Sequence, residues 1–293
     1  MKLFIQRPFY TRKLAYMDLT GILEVAGRTD TGCVRAHNED SIGEEIELGT
    51  VVLADGMGGY HGGEVASGIA VNKILNYLHD HLPQIKRVTL DAESGIHEES
   101  RLARDAISGA NSTIISTANK QPQYKGMGTT VVLGIFHNNT LTIAHVGDSR
   151  MYRYRDETLE HMTVDHTLLQ ELVDRGFYTE EEAQQSLNKN LVTRALGIED
   201  PVQVDVHETQ TLPGDIYLLC SDGLNDMIRD DDILLALKTF NNDLQDAADN
   251  LVKLAKENGG KDNVSVILAR PMKPFPAKPA SWYLTLFDKI FKR

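Results

Sequence analysis

Five acidic groups in this sequence stand where apolar runs begin or end. "VVLADGMGG" climbs through aliphatic residues to Asp55-Gly56, and "IYLLCSDGL" repeats the pattern at Asp222-Gly223. Asp148 closes "LTIAHVGDSR", Asp262 opens "GGKDNVSVILA", and Glu39 and Asp40 follow the first apolar run in "RTDTGCVRAHNEDS". Any single Asp-Gly reads as a turn former or a helix cap. Five such groups read differently, because an isolated buried carboxylate is costly. If the strand ends converge, the charges repel, and a bound cation is what makes them compatible. Carboxylates, a backbone carbonyl and water are hard oxygen donors, which suits Mg²⁺ or Mn²⁺. His and Cys do not accompany the aspartates with zinc-ligand spacing. Gly56, Gly58 and Gly59 would let the chain turn sharply and bring a carbonyl close to the metal. No G-x-x-x-x-G-K-[ST] phosphate loop is present.

The elements that must carry these groups alternate between two periods. Ile22–Arg28, Thr50–Ala54, "TTVVLGIF", "TLTIAHVG", "RMYRYR", Val202–Glu208, Asp215–Leu219 and Asn263–Ala269 read as strands. His137–Asn139 supplies a hairpin turn between two of them. Gly62–His81, Glu98–Asn119, Asp230–Thr239 and Leu244–Asn258 read as helices, the first with Val65, Ile69, Val71, Ile74, Leu75 and Leu78 near helical spacing. Thr163–Leu196 is polar and helical, with an acidic run at Glu180–Glu182. The pattern predicts an α+β fold, a sandwich of antiparallel sheets with helices packed outside.

The motifs in this order resemble the metal-dependent protein phosphatases of type 2C, and most closely the compact bacterial members. "RTDTGCVRAHNEDS", "ADGMGG", "GMGTT", "HVGDSR", "CSDGL" and "KDNVSV" carry the resemblance across about residues 22–270. It implies a central β-sandwich of two antiparallel sheets flanked by helices on both sides. It implies two Mn²⁺ or Mg²⁺ ions bridged by Asp55. The carbonyl of Gly56, Asp222 and Asp262 would complete their shells, with Asp40 and Glu39 acting through waters. Arg35 would hold the substrate phosphate, its planar fork matching phosphate oxygens. Asp148 with Asp222 would bind a third, weaker ion. Residues 163–196 would form a flap beside the cleft, with Ser186 as a guess for its ligand. The implied reaction is hydrolysis of phosphoserine and phosphothreonine on proteins by direct attack of a water shared between two metals. Where animal members carry a histidine two residues after the bridging aspartate, this chain has Met57, which leaves the general acid open between a metal-bound water and His61. The substrates implied are a bacterial Ser/Thr kinase and its targets. The alternative is a catalytically weak phosphoprotein-binding or scaffold protein, disfavoured because Asp55, Asp222 and Asp262 are all present.

Composition narrows the rest. The 293 residues suffice for one large domain, and no apolar run approaches the ~18 residues of a membrane span. A net charge of −12 speaks against nonspecific nucleic-acid binding. Cys33 and Cys220 form no Cys-x-x-Cys pair and read as buried free thiols of a reducing, cytoplasmic compartment. No Cys-x₅-Arg loop exists, which excludes the tyrosine-phosphatase class. The basic segment 1–21 precedes the catalytic unit of 22–270. "PMKPFPAKPAS" reads as a proline-rich linker over 271–280. Beyond it, 281–293 places Trp282, Tyr283, Leu286, Phe287, Ile290 and Phe291 on one helical face and Lys289 and Lys292 on the other. Two readings of that tail stand level: a helix folded back on its own domain, or an amphipathic element for a membrane surface or partner protein. A monomer is expected.

Overall fold

The computed structural model describes residues 17–59, 61–85, 97–179 and 191–275. Within them the strands are β1 (Leu23–Asp30), β2 (Asp40–Glu45), β3 (Thr50–Met57), β4 (Gly128–Thr129), β5 (Val131–His137), β6 (Thr140–Val146), β7 (Arg150–Arg155), β8 (Thr158–His161), β9 (Asp205–Gln210), β10 (Ile216–Cys220) and β11 (Val264–Pro271). The helices are α1 (Gly62–His81), α2 (Glu98–Lys120), α3 (Leu168–Asp174), α4 (Asp222–Asn225), α5 (Asp230–Thr239) and α6 (Leu244–Glu257). One sheet runs β1-β11-β10-β7-β8 and the other β2-β3-β5-β6-β9, with β4 paired to β3. Every paired neighbour is antiparallel.

The expected sandwich is therefore present, and period-2 alternation explains its layers. In β3, Val51 and Leu53 face the other sheet and share a core with its Leu219 and Ile267, and with Phe136 of the adjacent β5. Val52 and Ala54 of the same strand face outward onto α1 and α2. Against the second sheet, α5 and α6 pack Ile233, Leu237, Leu251 and Ala255 onto Leu218, Val266 and Leu268. The α1 face is led by Ala66, Ala70, Val71, Ile74 and Leu78, while Val65, Ile69 and Leu75 lie partly covered at its margin. Small residues there let the helix sit close to the sheet.

Turn chemistry sets the register. Asn138 and Asn139 both take positive φ, 47° and 59°, as a two-residue hairpin between β5 and β6 demands. Asp156 and Glu157 do the same between β7 and β8. That hairpin went unforeseen, because Asp-Glu is not a strong turn pair.

The packed unit runs past both expected boundaries. Met17 and Leu19 are buried in the inter-sheet core, β11 continues through Pro271, and Phe275 is buried against Phe136. The Phe275 amide donates to Asn139 Oδ1 at 2.6 Å. Both described ends thus meet the pole that carries the β5–β6 hairpin, and the five acidic groups gather at the other. Residues 1–16, the second half of the linker (276–280), the tail 281–293 and Ser186 lie outside the described residues. Among the described residues no helix is long and apolar enough to cross a membrane.

Candidate metal centre

The antiparallel register of β2 and β3 sets Asp40 directly opposite Asp55. Asp222 is the first residue of α4, separated from the end of β10 by Ser221 alone. Asp262 precedes β11, and Asp148 sits in the turn between β6 and β7. Five elements thereby deliver four aspartates and Asp55 to one pole of the sandwich. Burial raises Asp55 well above the usual carboxylate range, with Asp40, Asp222, Asp148 and Asp262 adding to it. Burial, then Asp148 and Asp262, push Asp222 up to about 8. Burial also lifts Asp40 and Asp148 to about 6.

The donors fit a divalent cation. Asp40 Oδ2 accepts hydrogen bonds from Ser221 Oγ at 2.8 Å and Ser265 Oγ at 2.6 Å. Its Oδ1 is buried with no hydrogen-bond partner. A carboxylate fixed on one oxygen and bare on the other, among like charges, is suited to a hard cation or its bound water.

Backbone glycine has a different reason from the one expected. Gly56 lies in the extended strand β3, and its amide donates to Glu39 O at 3.1 Å. A Cβ there would stand 2.2 Å from Gly63 O and 2.5 Å from Glu39 O, so the residue is small because α1 starts against it. Gly58 alone of the three takes positive φ, at 142°. At Gly223 a Cβ would meet Asn263 O at 1.9 Å. Gly56→Ala and Gly223→Ala are each expected to cost about 3 kcal/mol by overpacking. Gly59→Ala, with nothing within 4 Å, should stay within about 0.5 kcal/mol. Urea midpoints of the three variants would check this ordering.

Glu39 is pinned through its backbone. Its amide donates to Asn263 Oδ1 at 2.8 Å, and its carbonyl accepts from Ser67 Oγ at 2.6 Å. Arg35 lies on the exposed loop after β1, where Nη2 donates to Asp262 Oδ2 at 2.6 Å. Asp262 is the main reason its affinity for a proton rises further, and Glu39 and Asp222 contribute. The expected phosphate ligand is thus parked on a carboxylate expected to hold metal, and a substrate phosphate would compete for the same fork.

Several residues that position the site carried no pattern of their own. Asn263 holds the β1–β2 loop at three points: Nδ2 donates to Thr31 O at 3.0 Å and His37 O at 2.9 Å, besides the bond from Glu39 N to its Oδ1. Thr129 Oγ1 donates to Asp55 O at 2.8 Å, and the Asp55 amide donates to Thr130 Oγ1 at 3.1 Å. Asp226, one turn beyond Asp222, adds negative charge beside both Asp222 and Asp148. Asn263, Thr129 and Thr130 lie inside quoted motifs and Asp226 two residues beyond one, which was the available signal. His61 is an exposed residue at the start of α1, its Nδ1 3.3 Å from Glu64 and its ring 4.4 Å from that of His37. Cys220 is buried as expected, and burial pushes its thiol up to about 12. Cys33, expected to be buried, is exposed, because the Arg35 loop that carries it lies over Gly260 without sinking into the core.

A family model described as Protein phosphatase 2C matches residues 34–268. The chain belongs to the protein phosphatase 2C family. It is 39% identical over 252 residues to the serine/threonine protein phosphatase PstP of Mycobacterium tuberculosis, covering 86% of this chain but 45% of that protein. The chain thus spans under half the length of that relative. It is 36% identical over 244 residues to the serine/threonine phosphatase stp of Listeria welshimeri, covering 82% of this chain and 93% of that one. A crystal structure of the M. tuberculosis phosphatase superposes with a TM-score of 0.74 at 38% identity, covering 86% of this chain and 99% of that one. A structure of the PstP catalytic domain in complex with two manganese ions superposes at 0.71, also at 38% identity, covering 85% and 97%. The sandwich of two antiparallel sheets described above agrees with these neighbours.

Proposed function

We propose that the chain is a metal-dependent protein serine/threonine phosphatase. The observation that carries this is the meeting of Asp40, Asp55, Asp222 and Asp262 at one end of the sandwich, with Arg35 beside them. Asp55, Asp222, Asp262 and the Gly56 carbonyl would hold two Mn²⁺ or Mg²⁺ ions, with Asp40 and Glu39 reaching them through water and Asp148 serving a third. The ions supply an activated water and offset charge on the phosphoryl oxygens. The chain's own residues do the rest. Ser221 and Ser265 hold the Asp40 carboxylate in one orientation. Thr129 and Thr130 fix the backbone at Asp55. Arg35 leaves Asp262 and takes two phosphoryl oxygens in its fork, which orients the ester.

The relatives' names support phosphorylated proteins as substrates, and we take a bacterial Ser/Thr kinase and its targets as the set. The binding-only alternative is not favoured, because no expected carboxylate is missing. We further read the protein as a cytoplasmic monomer, with 281–293 able to touch a membrane surface or a partner.

The test is hydrolysis of p-nitrophenyl phosphate and a phosphothreonine peptide with Mn²⁺, Mg²⁺ or chelator, for the full chain and Asp222→Asn. Turnover that needs metal and is lost in the variant is expected; turnover surviving chelator would end the reading. Arg35→Lys should raise KM for the peptide about tenfold while kcat stays within about threefold, since lysine keeps charge but not the two-pronged grip. A fall confined to kcat would move Arg35 out of phosphate binding.

A further inference from the structure

Away from the aspartates, His145 of β6, His166 after β8 and Asp205 of β9 bring ligand-type atoms within 4.8 Å of one another. Protons argue against an ion there. The Gly147 amide donates to His166 Nδ1 at 3.0 Å, so the neutral ring carries its hydrogen on Nε2, which faces Asp205 Oδ2 at 3.2 Å. His145 Nε2 lies 2.9 Å from Val164 O and carries its hydrogen there. Arg194 Nη1 donates to Asp205 Oδ1 at 2.9 Å and stands 3.0 Å from His166 Nε2, two donors side by side on one carboxylate. Only His145 Nδ1, buried and without a hydrogen-bond partner, keeps a free lone pair. One imidazole and one carboxylate already shared with a guanidinium make a poor divalent site. Burial, then His145, hold His166 down at about 4, which agrees with a neutral ring.

The cluster instead ties elements together. His166 grips Gly147, the residue before Asp148, twice: its ring accepts from the Gly147 amide, and its own amide donates to Gly147 O at 3.0 Å. The His166 carbonyl accepts from Thr193 N at 2.8 Å. Three residues on, Leu196 exchanges backbone bonds of 2.8 and 3.1 Å with Thr129, which holds the Asp55 carbonyl. Hydrogen bonds at His166 and at Leu196, joined by the backbone of residues 193–196, therefore connect the turn of Asp148 to the strand of Asp55 through the base of the 163–196 segment.

We propose that His166 is a positioning residue, which sets Asp148 through the Gly147 amide and couples ion holding at Asp148 to the base of the flap. This rests on Asp148 being a ligand of the third ion. Asn and Gln separate the two halves of the ring. His166→Asn keeps an acceptor where Nδ1 stands; His166→Gln keeps a donor where Nε2 stands.

The experiment combines calorimetric Mn²⁺ titration of the full chain with amide hydrogen exchange at Gly147. In His166→Gln the weak-site Kd should rise about tenfold and Gly147 should exchange at least about tenfold faster, with the tight sites unchanged. In His166→Asn both should stay within about threefold of wild type. Equal change in the two variants, or no change in His166→Gln, would overturn the proposal. Asp148→Asn is the control: persistence of the weak-site heat would remove Asp148 as a ligand, and Gly147 exchange would then judge the His166 tie alone. Should His166→Gln fail to fold, Asp205→Asn loosens the same ring from its far side and should weaken the site about threefold; wild-type binding there would overturn the coupling.

Discussion

Asp55→Asn is expected to lower kcat/KM by at least ~10³-fold and, in the same protein, to raise the unfolding midpoint of the metal-free state. The two effects have one cause. Asp55 is buried among Asp40, Asp222, Asp148 and Asp262, and each disfavours its ionised form. In the proposed two-ion centre that charge would serve as a ligand, and a neutral amide removes it. Without metal, burial and the neighbouring aspartates oblige Asp55 to fold with its proton on, a cost above its unfolded pKa that an isosteric neutral amide removes. Residual activity would be measured on p-nitrophenyl phosphate with saturating Mn²⁺, and stability by calorimetry in chelator. A metal-free variant melting below wild type would show that Asp55 is held by contacts worth more than its repulsion.

The second large effect concerns pH. In chelator, stability should fall by about 2 kcal/mol between pH 6.5 and 8. Asp222 holds its proton up to about 8, and Asp55 is raised as well, against an unfolded value near 3.9. Across that window the folded state binds more protons than the unfolded one, so stability drops as pH rises. Below about pH 6.5 the trend is offset. His161 and His166 are held down at about 4, chiefly by burial, so folding there gains as pH rises. Saturating Mn²⁺ takes the place of the carboxyl protons and should flatten the fall above 6.5. Urea unfolding at pH 6.5, 7.2 and 8, with chelator and with Mn²⁺, would measure it. A flat profile in chelator would mean that burial and the neighbouring aspartates do not raise Asp222 and Asp55.

Sequence showed most of this because carboxylates at strand ends are both a chemical and a topological signal. The ligand set depends on where strands stop, and aliphatic runs mark that well. The strand at Asp40–Glu45 escaped notice, since "DSIGEE" has one strong apolar residue and its neighbour β3 supplies the pairing. The reason for Gly56 was out of reach for a related cause: the Gly63 carbonyl that forbids a Cβ belongs to a helix packed in three dimensions. Arg35 on Asp262 was equally invisible, because a 227-residue separation is closed only by β1 pairing with β11. The 163–196 segment read as helical, yet among its described residues only Leu168–Asp174 forms a helix. Its structural weight lies in His166, Thr193 and Leu196, whose backbone bonds have no periodicity to detect.

Both described ends of the chain sit beside the β5–β6 hairpin, while Asp55 and Asp262 lie at the opposite tips of the strands. The eight residues of β11 make that separation about 25 Å. The molecule is polar in the sense of a handle and a blade. Anything that grips the described ends, at Met17 or Phe275, holds the molecule at the pole opposite the aspartates. A contact made at the handle therefore leaves the acidic pole about 25 Å away from it and open on its far side.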